Sequence, residues 1–192
     1  PTIAAFLVGA PNHGVDGVLP GAGLFAADAF HATGGGAAAE TLALIRALDW
    51  LAGQDVHAVN LSLTGPANTL LRRAVAALEN LSIAVTAAAG NGGPLAGPTY
   101  PAAYPEVIGV TAVGADLRRY AQANRGKHIF IAGPGVGLES LDGRLVTGTS
   151  FAVPFVTAAI ADALRDQTPL DIVKRKLSEQ ARDLGPPGPD DA

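Results

Sequence analysis

Short runs of β-branched or apolar residues alternate along the chain with longer segments of helical period. In the longer segments, the apolar residues recur three or four positions apart, which is typical of helices packed on one side. This alternation predicts the α/β class, with a mainly parallel sheet flanked by helices. The predicted strands are Leu24 to Ala27, Ala58 to Leu63, Ile83 to Ala87, Val107 to Val113 and His128 to Ala132.

Four helices are predicted, and two of them have a distinct apolar face. The faces consist of Leu44, Leu48 and Leu51 in the first helix, and of Leu70, Ala74, Ala77 and Leu81 in the second. The predicted bounds are Glu40 to Leu51, Thr69 to Leu81, Gly148-Thr149-Ser150 to about Leu164, and the cap-like Thr168-Pro169 to about Leu184. With Thr33 to Gly36 as a loop and no internal repeat, residues 1–192 are expected to form one domain.

Composition and charge exclude several classes of protein. The 192 residues are 48% hydrophobic and 16% charged, which is a globular composition. A net charge of -4 without a basic cluster argues against nucleic acid as a partner. No run approaches the roughly 18 apolar residues of a membrane span. Because Cys is absent, disulfides, thiol nucleophiles and cysteine-ligated zinc are excluded.

Two short segments carry candidate chemistry. Ser150 begins an apolar helix, where unpaired N–H groups create a positive potential that stabilises an oxyanion. Asn91 lies in a glycine-rich break after a strand, where its side-chain amide can donate to a developing negative charge. Taken alone, Ser150 is more typical of an ordinary N-cap, and Asn91 is also typical of a common Asn-Gly turn. Asn60, in an apolar strand, is expected to be a buried amide satisfied by neighbouring backbone.

Five blocks in order resemble the subtilisin-like serine proteases. They are Val59-Asn60-Leu61-Ser62-Leu63-Thr64-Gly65, Ala87-Ala88-Ala89-Gly90-Asn91, Tyr100-Pro101-Ala102, Ala132-Gly133-Pro134-Gly135-Val136 and Gly148-Thr149-Ser150-Phe151-Ala152-Val153-Pro154. The resemblance covers nearly the whole chain. It implies the family's three-layer fold with its N-terminal part missing, and cleavage of peptide bonds in peptide or protein substrates.

The resemblance also implies roles for individual residues. Ser150 would be the acyl-forming nucleophile, and Asn91 would donate its side-chain amide to the oxyanion together with the Ser150 N–H. An extended substrate would pair with Ser62, Leu63 and Thr64. Ala88, Ala89 and Gly90 would line the pocket for the residue before the cut. Thr99 stands where the family often has Gly at the pocket floor, so a narrower pocket is expected.

A serine nucleophile needs a base and an orienting carboxylate, and in this family both precede Gly17. The resemblance places the histidine just upstream of Pro1 and the aspartate earlier still. A chain that starts with Pro1 and contains no Met is expected to be processed or excised from a longer one. We therefore expect a complementing N-terminal segment as a partner, and without it an uncovered apolar sheet edge and little activity.

The remaining histidines are poor substitutes for the missing base. His13 and His31 lie in predicted loops, and His57 and His128 open strands, at the sheet edge away from the expected site. Their scattered spacing does not indicate zinc, and residues 10–18 contain no convincing calcium ligands. We expect no metal and no cofactor. The family resemblance implies a secreted or periplasmic location.

Two other functions remain open from the sequence. The chain could be a pseudo-protease or peptide-binding module that binds without turnover. An α/β-hydrolase of the lipase type would require Gly-x-Ser-x-Gly, but Ala152 occupies the position of the second glycine.

Overall fold

A computed structural model describes residues 2–10, 12, 14–33 and 36–184 of the chain. Its helices are α1 (Thr2–Val8), α2 (Thr41–Ala52), α3 (Thr69–Asn80), α4 (Thr149–Leu164) and α5 (Leu170–Gln180). Its strands are β1 (His31–Thr33), β2 (Gly36–Ala38), β3 (Ala58–Leu61), β4 (Ala84–Ala88), β5 (Ile108–Val113), β6 (Ile129–Pro134), β7 (Leu138–Glu139) and β8 (Leu145–Val146). His13 and the tail from Gly185 lie outside the described residues.

A four-stranded parallel sheet forms the centre, in the order β3-β4-β5-β6. Two small antiparallel pairs, β1-β2 and β7-β8, lie apart from it. Strands β4 and β5 are buried along their whole length, which explains their almost uninterrupted apolar sequences. The predicted α/β class with a mainly parallel sheet is confirmed.

Alternation along the strands divides the core into two layers. Val85 and Ala87 of β4 pack with α2 and α3, whereas Ala84 and Ala88 pack with α4 and α5. Since successive side chains of a strand point to opposite faces, the sheet becomes the middle of three layers. Helix α1 packs on α4 from outside, with the rings of Phe6 and Phe155 5.5 Å apart.

The predicted apolar face of α3 is wrong by one residue of rotation. Leu70 and Leu81 are 58% and 61% exposed, and the buried side chains are Leu71, Val75 and Leu78. Two apolar stripes run side by side on this helix, and the stripe with the larger side chains faces the sheet because it buries more area. Ala74, which belongs to the predicted face, borders the core.

The predicted strand Leu24 to Ala27 is also wrong, because residues 23–30 form no ladder. An apolar cavity of about 880 Å³ lies against this segment and the β3 strand, with Leu7, Phe25, Leu48, Val59 and Leu61 in its walls. Within this segment, the ring of Phe25 contacts the ring of Trp50 edge-on, with ring centroids 6.2 Å apart. A strand requires a neighbour for its backbone groups, and among the described strands only β4 pairs with β3.

Smaller differences concern element ends. Helix α5 stops at Gln180 rather than near Leu184, and its N-cap is Pro169 rather than Thr168. The two ends of the predicted loop Thr33 to Gly36 are strand residues that pair with each other, Thr33 in β1 and Gly36 in β2, and residues 34 and 35 lie outside the described residues. Within the described part of the chain, no helix combines the length and hydropathy needed to cross a bilayer.

The observed rotation of α3 can be tested by a matched pair of truncations in this one helix. Leu78→Ala should lower the free energy of unfolding by about 2 to 5 kcal/mol, because it opens a cavity in the core. Leu70→Ala should change it by less than about 0.5 kcal/mol, because the side chain is largely in water. Urea denaturation measures both. If both truncations lower the free energy of unfolding equally, or if Leu70→Ala lowers it more, the helix face predicted from the sequence is the buried one.

Candidate active site

Three segments far apart in sequence meet at the carboxyl edge of the parallel sheet. They are the residues after β3, the residues after β4 and the beginning of α4. The Ser62 hydroxyl donates to the backbone carbonyl of Ser150 at 2.7 Å, and the Thr149 N–H donates to Asn91 Oδ1 at 2.9 Å. Ligands of open α/β sheets bind at this edge, so the candidate residues Ser62, Asn91 and Ser150 come together where a ligand is expected.

Asn91 is fixed by the first turn of α4. Its Oδ1 accepts from both the N–H and the hydroxyl of Thr149, at 2.9 and 3.0 Å. Since these two donors occupy the acceptor end of the amide, the Nδ2 protons are left to donate elsewhere. Gly148, the N-cap, has a φ of 153°, and a Cβ there would lie 3.2 Å from Asn91 Nδ2. Glycine at this position therefore permits the close approach of Asn91.

Ser150 is the second residue of α4 and is half-buried. Among the described residues, neither its N–H nor its hydroxyl has a hydrogen-bond partner. The N–H is one of the free donors at the start of the helix, where the aligned peptide dipoles favour a negative charge. The Ser150 N–H and Asn91 Nδ2 are thus two donors near the start of α4 that have no acceptor among the described residues.

Thr149 is a site residue that sequence reasoning missed, because it appeared only as part of a block. It is fully buried, and its hydroxyl accepts from the Gly90 N–H at 3.1 Å while donating to Asn91 Oδ1. One hydroxyl therefore joins α4 to the glycine-rich break. The only sequence signal was a small residue with a hydroxyl group at the first helical position.

Asn124 was also missed, and it supports the segment after β4. Its buried side chain accepts from the Gly92 N–H at 2.7 Å and donates to the Gly97 carbonyl at 3.1 Å. Gly90 has a φ of +103°, and a Cβ there would come within 2.7 Å of Asn124 Nδ2. No signal within the segment 115–128 distinguished this Asn from an ordinary loop residue.

The residues expected to line the pocket are held together by Thr99, whose hydroxyl donates to the Ala89 carbonyl at 2.9 Å. Ala88 and Ala89 are completely buried, and the side chain of Ala88 belongs to the core beside α4. Thr99 also packs against Gly90, since a Cβ on Gly90 would lie 3.0 Å from the Thr99 hydroxyl.

Ser62, Leu63 and Thr64 continue from the end of β3 without joining a ladder. The next residue, Gly65, forms an antiparallel bridge with Tyr100 through bonds of 2.7 and 3.0 Å. This bridge ties the segment expected to bind substrate to the loop that contains Thr99, in which the Tyr100–Pro101 peptide is cis.

Asn60 corrects the expectation of backbone partners. Its Nδ2 donates to the Ser62 hydroxyl at 2.9 Å, and its Oδ1 accepts from the Thr157 hydroxyl at 3.1 Å. Both partners are therefore side chains, and Asn60 is half-buried rather than buried.

Neither of the two histidines with described side chains approaches Ser150. His57 precedes β3 and His128 precedes β6, so both lie at the amino edge of the parallel sheet, opposite the site. Within the described residues the His128 Nε2 is buried without a hydrogen-bond partner, and burial lowers the pKa of this side chain. Across the described ranges, no three His, Asp or Glu side chains gather in a way that could hold a metal ion.

The link through Thr149 can be tested by removing one hydroxyl. Thr149→Val should cost about 1 to 3 kcal/mol of stability, because the buried Gly90 N–H loses its acceptor. Thr149→Ser keeps the hydroxyl and should cost only the missing methyl group, about 1 kcal/mol. Guanidinium denaturation compares the two variants. A Val variant more stable than the Ser variant would show that the hydroxyl contributes nothing.

Comparison with known proteins shows the family of the chain. The sequence model of the subtilase family matches residues 2–192. Subtilisin E of Bacillus subtilis (strain 168) is 35% identical over 156 residues, 77% of this chain, and subtilisin DY of Bacillus licheniformis is 32% identical over 182 residues, 90% of this chain. The chain corresponds to 40% of the length of the first and 65% of the second.

The fold agrees as well. The solved structure described as S41 psychrophilic protease superimposes with a TM-score of 0.81 at 23% identity, covering 93% of this chain and 67% of the other. Together with the family match over residues 2–192, these similarities show that the chain belongs to the subtilase family.

Proposed function

We propose that this chain is the nucleophile-bearing part of a serine endopeptidase that cleaves peptide bonds through an acyl-enzyme on Ser150. The observation that carries the proposal is the convergence of the Ser150 N–H and the Asn91 side chain at the start of α4. Asn91 is held through its oxygen by Thr149, so its Nδ2 donors are oriented before any substrate arrives. Such preorganised donors stabilise a developing oxyanion in acyl transfer.

The reaction would proceed in two displacements. Ser150 Oγ attacks the scissile carbonyl carbon while a base takes its proton, and the carbonyl oxygen becomes an anion bound by Asn91 Nδ2 and the Ser150 N–H. Collapse of this intermediate breaks the C–N bond, and the leaving amine takes the proton from the base. Water then attacks the acyl group by the same route, releasing the acid and restoring the Ser150 hydroxyl.

Substrate would bind as an added strand beside Ser62, Leu63 and Thr64, whose backbone is not part of a ladder. The Gly65–Tyr100 bridge supports this placement, because it holds that segment next to the loop of Thr99. The segment Ala88, Ala89 and Gly90 would lie behind the pocket for the residue before the cut, with the Ala88 side chain directed into the core. Thr99 would close the floor of the pocket and favour small side chains.

The base and its orienting carboxylate would come from a complementing segment that carries His and Asp. Among the described side chains no histidine is near Ser150, and β3 has an unpaired edge that supports this part of the proposal. His57 O accepts from the Ala84 N–H, so the backbone groups of Ala58 and Asn60 face the other side, toward the apolar cavity. An extended apolar stretch of the complementing segment would fill that cavity. The expected secreted or periplasmic location stays a prediction.

The second candidate is a peptide-binding module without turnover. This function is favoured because no histidine among the described side chains is near Ser150, and binding of a peptide beside Ser62 to Thr64 needs no base. Labelling of the serine separates the two functions, because only an activated hydroxyl reacts with a fluorophosphonate.

The nucleophile assignment predicts the outcome of intact-mass spectrometry on the purified native material with all its chains, before and after a fluorophosphonate probe. We expect one probe adduct on Ser150, in material that also contains a segment with His and Asp.

Ser150→Ala should abolish both the adduct and peptide hydrolysis with little change in stability. Asn91→Ala should lower kcat by roughly 10² to 10³, because one oxyanion donor is lost. Hydrolysis that survives Ser150→Ala would refute the assignment, and an unlabelled native protein would favour the binding module.

The pocket assignment predicts a change of specificity in Thr99→Gly. Removing this side chain should deepen the pocket, and kcat/KM for a peptide with Phe before the cut should rise about 10-fold relative to one with Ala. Ser82→Gly is the control, because Ser82 is exposed, has a positive φ that glycine adopts, and lies in the turn before β4, at the amino edge of the sheet. An unchanged ratio of the two substrates in Thr99→Gly would remove Thr99 from the pocket.

A further inference from the structure

The backbone carbonyl of Ser150 lacks its usual helical partner. In an α-helix the carbonyl of residue 150 accepts from the N–H of residue 154. Residue 154 is Pro, which has no N–H and whose ring crowds that carbonyl. The Ser62 hydroxyl supplies the missing donor at 2.7 Å, from a segment 88 positions away in sequence. The second residue of α4 is therefore tied to the end of β3 rather than to its own helix.

Ser62 is the last member of a series of hydrogen bonds that is buried at Thr86 and Thr157 and half-buried at Asn60 and Ser62. Behind it, Asn60 Nδ2 donates to the Ser62 hydroxyl at 2.9 Å, and the Thr157 hydroxyl reaches Asn60 Oδ1 at 3.1 Å. The hydroxyls of Thr157 and Thr86 are 2.6 Å apart. The series thus runs from β4 through the middle of α4 and the end of β3, and returns to α4 at Ser150.

Counting protons gives the series one direction. The Thr157 hydroxyl has one proton and two acceptors in reach, Asn60 Oδ1 and the Val153 carbonyl. Within α4 the Val153 carbonyl already accepts from the Thr157 N–H, whereas Asn60 Oδ1 has no other donor among the described residues.

The Thr86 hydroxyl also has two acceptors in reach, the Val59 carbonyl at 3.2 Å and the Thr157 hydroxyl at 2.6 Å, and the Val59 carbonyl already accepts from the Thr86 N–H in the parallel ladder. Thr157 therefore donates to Asn60 and accepts from Thr86. Every donor then points toward Ser150, an arrangement in which each hydrogen bond polarises the next.

We propose that Ser62, Asn60 and Thr157 are positioning residues that set the place of the Ser150 backbone, and with it the nucleophile and its N–H donor, relative to the segment that binds substrate. The inference rests on the proposed function. The series compensates for Pro154, because without the Ser62 hydroxyl the Ser150 carbonyl would lose its donor, and its peptide could reorient within a first turn that Thr149 and the burial of α4 otherwise hold. Misplacement of catalytic groups by about 1 Å can cost up to 10²-fold in rate.

The activity test compares two buried threonines in the active native form. Thr157→Val keeps the volume and removes the hydroxyl, and it should lower kcat on the order of 10-fold with KM changed less than about 2-fold. Thr157→Ser should recover most of kcat. The control is Thr111→Val, which removes a buried hydroxyl from β5 outside the series and should leave kcat within about 2-fold. If Thr111→Val lowers kcat as much as Thr157→Val does, or if Thr157→Ser does not recover kcat, the effect of Thr157→Val is general destabilisation and the positioning role of Thr157 is wrong.

A second measurement is independent of activity. Ser150-Phe151 is the only Ser-Phe pair in the sequence, so ¹³C-carbonyl serine with ¹⁵N-phenylalanine gives a single coupled carbonyl resonance, that of Ser150. Ser62→Ala, at a half-buried position, should move this resonance upfield because the carbonyl loses its donor. In a Pro154→Ala background the N–H of residue 154 can donate to the Ser150 carbonyl in place of the Ser62 hydroxyl. Ser62→Ala should then move the Ser150 carbonyl resonance much less.

The two measurements separate the possible failures. If the native protein neither hydrolyses peptides nor labels, the proposed function fails, and the carbonyl resonance still decides whether the series holds Ser150. If hydrolysis is present but neither kcat in Thr157→Val nor the resonance in Ser62→Ala changes, the positioning role is overturned. A shifted resonance together with a lowered kcat supports it.

Discussion

From Phe151 to Ile160, helix α4 contains a single polar side chain, Thr157. Such a helix cannot face water on any broad side, and it packs across all four strands of the parallel sheet while α1 and α5 cover its outer surface. Because its interior positions are fixed by this burial, its first turn is held at the carboxyl edge of the sheet. The location of Ser150 is in this sense a consequence of where the apolar part of α4 must lie.

Burial of α4 also dictates the polar contacts around the site. Thr157 enters the core with its helix, and a hydroxyl buried there needs partners, which Thr86 and Asn60 provide. At the helix start, Thr149 is equally buried and satisfies Gly90 and Asn91. These bonds contribute little net stability, because each replaces a hydrogen bond to water. Their effect is to allow one arrangement of the three segments and to make others costly.

Much of the fold follows from local pattern, but the exceptions have a common cause. The strands β3 to β6 and the four longer helices lie within a few residues of their predicted bounds, because apolar runs and caps act locally. Leu24 to Ala27 has a strand sequence yet forms no strand, since pairing depends on a neighbour that a segment cannot supply for itself. The rotation of α3 about its axis depends on whether Leu71 or Leu70 packs against the sheet. The apolar residues of this helix have the correct period for either face, so the sequence pattern does not decide between them.

For the site, the sequence alone determined which chemical groups are present: a serine at a helix start, an asparagine in a glycine-rich break, and prolines and glycines at fixed spacings. It also determined, through Pro154, that the Ser150 carbonyl could not be satisfied within its own helix. Only the tertiary structure decided that Ser62 satisfies it, that Thr149 orients Asn91, and that Asn124 supports the segment around Gly90. The physical reason is that hydrogen bonds between distant segments depend on distance and direction in space, and neither is encoded in the spacing of residues along the chain.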